Sequence, residues 1–154
     1  MIQRIQSLFL FFASALLSCQ FAVPYYIAPS HSELEPKTLI LPAAFSDGVL
    51  NPLDNFGLLG LTILGSLISL WAIFLFKNRS LQGRLAGMSG VISVLVIALA
   101  VFVWYQTTKG LPEHTGSFGF GLALPVAALV LQYLAQRAIK KDEKLVRSMD
   151  RLRD

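Results

Sequence analysis

Charge is scarce in this sequence, and cysteine is all but absent. Only 14% of its residues are Asp, Glu, Lys or Arg, against about 25% in a soluble globular domain, which argues against a surface that faces water along the whole chain. The single cysteine, Cys19, has no partner for an internal disulfide and carries no signal of redox compartment. The sequence has no Gly-x-Ser-x-Gly, no His-Glu-x-x-His, no phosphate-binding loop and no paired-cysteine motif. With those signatures missing, the expectation is a chain that is not an enzyme and carries no cofactor. His31 and His114 lie in separate polar segments near Glu33, Glu35 and Glu113, without metal-ligand spacing, so no metal site is expected.

What the sequence does have is apolar residues in blocks. They make up 55% of the chain, and the mean hydropathy is +0.62. Four blocks, at 5–28, 56–76, 85–105 and 118–136, contain no Asp, Glu, Lys, Arg or His. About 20 apolar residues are needed to cross a bilayer as a helix, and in hydrocarbon each backbone N–H and C=O must be satisfied within the segment, so helix is the expected conformation. The fold class expected is all-α: an integral membrane four-helix bundle, a single membrane domain over 1–154, with antiparallel neighbours, an outer loop at 29–55 and a cytoplasmic helical tail at 137–154.

Local signals refine the ends. Pro24 and Pro29 should stop the first helix, and Asn55 or Asp54 should cap the second. Tyr25, Tyr26, Trp71, Trp104 and Tyr105 sit toward block ends, the level of the membrane interface. Pro125, inside the fourth block, should kink it, and Gly116, Gly119 and Gly121 should soften its outer end. Residues 38–41 could form a short strand.

Orientation follows from the positive-inside rule. Of the 13 Lys and Arg residues, eleven lie at the N-terminus (Arg4), between the second and third blocks (Lys77, Arg79, Arg84) or in the tail. The alternate segments hold Lys37 and Lys109 against Glu33, Glu35, Asp47, Asp54 and Glu113. Both termini are therefore expected in the cytoplasm. The net charge of +4 belongs to these membrane flanks and does not point to nucleic acid. A competing reading of the N-terminus takes Leu16-Leu17-Ser18-Cys19 as a lipoprotein cleavage box, with residues 1–18 removed and Cys19 lipidated. The apolar run continues through Phe21-Ala22-Val23 to Tyr25-Tyr26, which favours a retained helix.

Met1-Ile2-Gln3-Arg4-Ile5-Gln6 resembles the opening of the small bacterial membrane proteins of domain-of-unknown-function family 4293. So do Phe76-Lys77-Asn78-Arg79-Ser80-Leu81-Gln82 with Arg84-Leu85, Gly119-Phe120-Gly121 with Leu124-Pro125, and the tail from Arg137 through Ser148 and Asp150-Arg151-Leu152-Arg153. The resemblance covers the whole chain and is weak in the outer loop. It implies four transmembrane helices in the inner membrane of Gram-negative bacteria, a retained first helix and no assigned activity or ligand residue.

The blocks carry no ionisable side chain, and such residues are what usually mark ion paths and proton relays. Ser14, Gln20, Thr62, Ser66, Ser69, Ser93 and Gln132 are expected to hydrogen-bond between helices. Gly83, Gly87 and Gly90 read as a close-packing helix face, within the second hairpin rather than in a dimer; Gln132 and Pro125 join them as candidate packing residues. Arg137, Lys140, Lys141, Lys144, Arg147, Arg151 and Arg153 are candidate contacts for a protein partner or for lipid headgroups. The leading expectation is a noncatalytic accessory or scaffold subunit of a membrane assembly. The alternative is a small transporter or channel for an uncharged or lipid-like solute, with Gln20, Gln132 and Pro125 lining its path.

Overall fold

The computed structural model describes residues 3–27, 49–76, 78–108 and 117–150. Four helices form the body: α1 (Gln3–Cys19), α2 (Phe56–Phe74), α3 (Arg79–Thr108) and α4 (Ala123–Asp150). They pack as a ring in chain order, with α4 closing against α1. Three two-residue strands, β1 (Tyr26–Ile27), β2 (Val49–Leu50) and β3 (Ser117–Phe118), form an antiparallel sheet in the order β2-β1-β3. This sheet caps the end of the bundle where α1 finishes and where α2 and α4 begin. Residues 38–41, His31, His114 and Gly116 lie outside the described residues.

The faces of the helices are sorted by size and polarity in an order opposite to that of a water-soluble bundle. On α2 the buried positions are Leu58, Thr62, Gly65, Ser69 and Ala72, a stripe at spacings of three and four. Its exposed positions include Leu67, Leu70, Trp71 and Phe74. Small and hydroxyl side chains thus face the neighbouring helices, and bulky apolar ones face out. Water would not tolerate a continuous apolar exterior of this kind. Lipid exerts no hydrophobic force between helices, so close packing of small residues is what joins them. α3 repeats the pattern, with Ala86, Ser89, Ser93 and Ala100 buried and Met88, Val91, Val94 and Leu95 exposed.

Several ends differ from the sequence expectation. The first apolar run does not form one helix through 28. α1 stops at Cys19, the chain turns over Gln20 to Ala22, and Tyr26 enters the sheet. Pro24 has no N–H to continue a helix and disfavours the α conformation in Val23. Asn55 caps α2, its Oδ1 accepting from the N–H of Gly57 at 2.8 Å and of Leu58 at 3.2 Å. Much of the segment read as the connection between the second and third blocks is helix, because α3 begins at Arg79 and Asn78 caps it, accepting from Leu81 N–H at 3.3 Å.

Pro125 does not kink α4. It falls in the first turn of a helix that begins at Ala123, where its missing N–H would have had no helical partner anyway. Gly119 and Gly121 do not loosen that end; they clamp it. Gly119 N–H donates to Tyr25 O at 2.9 Å and Gly121 N–H to Pro24 O at 3.0 Å. A Cβ at Gly121 would stand 2.6 Å from both Pro24 O and Val23 O, so only glycine permits this approach of backbone to backbone.

Candidate functional site: the α3–α4 seam and the basic face of α4

Inside the bundle the polar side chains bind one another. Gln132 on α4 accepts from Ser93 Oγ of α3 at 2.8 Å, and its Nε2 donates to Ser69 Oγ of α2 at 3.1 Å. One buried amide therefore ties three helices, with both of its polar atoms engaged. Ser14 of α1 donates to Ser66 O of α2 at 3.2 Å, and the Ser18 and Ser66 hydroxyls lie 2.9 Å apart. Near the sheet, the Tyr25 hydroxyl donates to Gln20 Oε1, and Thr62 Oγ1 donates to Leu58 O at 2.7 Å. Three buried amide nitrogens, Nε2 of Gln6, Nε2 of Gln20 and Nδ2 of Asn55, have no hydrogen-bond partner.

The three glycines of α3 all face α4 within the same chain. A Cβ at Gly83 would meet Ile139 Cγ2 at 3.3 Å, and one at Gly87 would meet Gln136 Nε2 at 2.5 Å. At Gly90 the nearest atom would be Leu129 Cδ1, at 3.8 Å. The seam is thus tight at Gly83 and Gly87 and leaves room for a methyl group at Gly90. An outward-facing groove of about 240 Å³ lies along it, with Gly87, Gly90 and Val94 on one side and Leu129, Gln132, Tyr133 and Gln136 on the other. Pro125 is not among its lining residues.

Tyr133 and Gln136 also border a second hollow, of about 390 Å³, whose remaining walls are Arg137, Lys140, Lys141 and Lys144. The two spaces therefore meet. Those four cations recur at spacings of three, one and three, which places them on one face of α4, and all four are exposed. The opposite face is held down by Ile139, fully buried against α1, α2 and α3, and by Asp142, paired with Arg79 Nη1 at 3.0 Å. Of Arg147 the structure describes the helical backbone; Arg151 and Arg153 lie outside the described residues. No group of three metal-ligating side chains occurs among the described residues.

Sequence reasoning missed Gln136, the Arg79–Asp142 pair and the burial of Gln6 and Gln82. Gln136 is the last uncharged residue before the cations and lies seven residues above Leu129, which is the signal that it shares the seam. Gln6 lies on one helical stripe with Leu10, Ala13 and Leu17.

Four packed helices, with hydrogen-bonded hydroxyls and amides inside and bulky apolar residues outside, define the class. Three of them, Phe56–Phe74, Arg79–Gln106 and Phe120–Val146, contain segments long and apolar enough to cross a membrane, the pattern of a membrane protein. The chain belongs to the family described as a domain of unknown function, DUF4293, which matches residues 2–152. No curated protein and no solved structure matches the chain.

Proposed function

We propose that the protein is a noncatalytic accessory or scaffold subunit of a bacterial inner-membrane assembly, crossing the bilayer four times with both termini in the cytoplasm. The three long helices cross outright. α1 completes the fourth crossing: its 17 residues reach about 25 Å, and a bilayer adjusts to a shortfall of a few ångströms at modest cost. The charge bias of the flanks supports the orientation.

The observation that carries the accessory role is the engagement of Gln132. The most polar side chain at mid-bundle has its acceptor and its donor nitrogen engaged by Ser93 and Ser69, which supports a role in cohesion. The transporter alternative needs Gln20, Gln132 and Pro125 to share a path. Gln132 is occupied, Gln20 Oε1 is held by Tyr25, and Pro125 sits in the first turn of α4. A partner would dock on the cytoplasmic end of α4, where Leu145 is exposed beyond the Arg79–Asp142 pair.

Affinity isolation of the full chain in mild detergent tests this reading. Reproducible co-purifying membrane proteins, lost when residues 143–154 are deleted while the bundle stays helical, are the expected result. Recovery of the chain alone under every mild condition rejects it.

A further inference from the structure

We propose that the seam between α3 and α4 is a binding site for one anionic phospholipid, with the phosphate held by Arg137, Lys140 and Lys141 and an acyl chain lying over Gly90. The inference rests on the bundle being in a bilayer. It does not depend on the accessory role.

The first argument is position. The groove and the basic hollow share Tyr133 and Gln136, so apolar slot and cationic rim form one continuous surface. Their junction falls where the uncharged run of α4 ends and Arg137 begins. On α3 the matching boundary is Arg84, exposed and next to Gly83, which packs on Ile139. The two helices thus change from apolar to cationic at the same level, which in a bilayer is the headgroup level. A phosphate there reaches the cations while its hydrocarbon continues into the slot.

The second argument is charge. The four cations on this face of α4 have no acid among them. Asp142 points to the other side, bound to Arg79, and Glu143 falls by helical spacing to the flank of the face and is half-buried. Basic pockets between membrane helices on the cytoplasmic side are suited to anionic headgroups. A face of mixed charges would suit a protein partner better.

The third argument is shape. The slot is open because α3 presents no side chain at Gly90, whose nearest neighbour across the seam would be 3.8 Å from a Cβ. Packing at that position does not require a glycine, so the space is available for methylenes. At the end of the slot nearest the cations the Gln136 amide lies over Gly87 and offers a donor to a lipid ester or headgroup oxygen. A free phosphate would make no use of the hydrocarbon slot.

The test is native mass spectrometry of the full chain, delipidated in detergent and titrated with palmitoyl-oleoyl phosphatidylglycerol, with the matching phosphatidylcholine, and with glycerol phosphate. The expected result is one phosphatidylglycerol retained in clear preference to phosphatidylcholine, and no competition from glycerol phosphate at equal concentration. The double substitution Lys140→Gln with Lys141→Gln removes two exposed cations and should weaken phosphatidylglycerol about fivefold per cation, with phosphatidylcholine unchanged. Gly90→Leu fills the slot and should weaken retention of both lipids while the cations stay. If Gly90→Leu fails to give a helical, monodisperse protein, the lysine pair decides alone. Equal retention of the two lipids, a preference that survives the lysine substitutions, or displacement by glycerol phosphate overturns the proposal. None of these outcomes bears on whether protein partners co-purify, so the accessory role stands or falls separately.

Discussion

The two ends of the bundle are closed by different kinds of bond. At the sheet end the closure is backbone to backbone. Three two-residue strands pair, and Gly119 and Gly121 hand their N–H groups to the carbonyls of Tyr25 and Pro24. At the opposite end it is made by side chains: Asn78 caps α3, Ile139 fills the space over Gly83, and Arg79 pairs with Asp142. A backbone closure cannot be repacked by choosing another rotamer, whereas a side-chain closure can. The sheet end should therefore tolerate substitution poorly, and the charged end should tolerate it well. Stability in detergent can break that comparison.

The largest effects are expected at Gly119, where a Cβ would stand closer still to Pro24 O, and at Gly121. Alanine in place of Gly121 meets two carbonyl oxygens at 2.6 Å, and backbone atoms on both sides must shift. A loss of about 3 kcal/mol is expected, the upper part of the range for overpacking, seen as a large fall in Tm or as loss of a monodisperse species. Gly60→Ala is the matched control. Nothing lies within 4 Å of a Cβ at that exposed position of α2, so the same substitution should stabilise the helix by up to about 1 kcal/mol. Equal effects at Gly121 and Gly60 would show that the sheet end is not closed as described.

The middle of the bundle should fall between the two ends. Gln132→Leu keeps the volume and removes two hydrogen bonds, to Ser93 and to Ser69. At about 0.6 kcal/mol for each such bond in a membrane, the loss should be near 1 kcal/mol. Ser69 and Ser93 can then turn back to carbonyls of their own helices, which keeps the loss small. Chemical denaturation in mixed micelles measures it. A loss of several kcal/mol would mean that the amide holds something more than two serines.

The helices were legible in the sequence, and the sheet was not. The run at 56–76 became Phe56–Phe74, and the tail past Gln136 continued as helix to Asp150, because apolar length and helix-forming residues act locally. The Asn55 cap was readable for the same reason. β1, β2 and β3 carry two residues each, too few for a period-two pattern. They pair because the ends of α1, α2 and α4 converge there, a tertiary cause with no local trace. The run at 5–28 misled because Tyr26 and Ile27 extend an apolar run that reads as helix while serving a strand. At the seam, Gly83, Gly87 and Gly90 could be read as a packing face from spacing. The open slot beside them depends on the reach of Leu129 and Gln136 from another helix, which no spacing within α3 encodes.

The smallest effect is expected at the charged end. Arg79 and Asp142 make an ion pair at 3.0 Å, with side chains 30% and 13% exposed. Water and salt reach the pair from the Arg79 side, so it should contribute about 0.2–1 kcal/mol, the range for accessible pairs. A double-mutant cycle of Arg79→Gln with Asp142→Asn isolates that term from packing changes. The coupling should shrink modestly as salt rises from about 0.05 to 0.5 M, because ions reach the accessible side of the pair and screen it in part. A coupling above about 3 kcal/mol that ignores salt would place the pair in a desolvated interior, and the charged end would then resist change as firmly as the sheet end does.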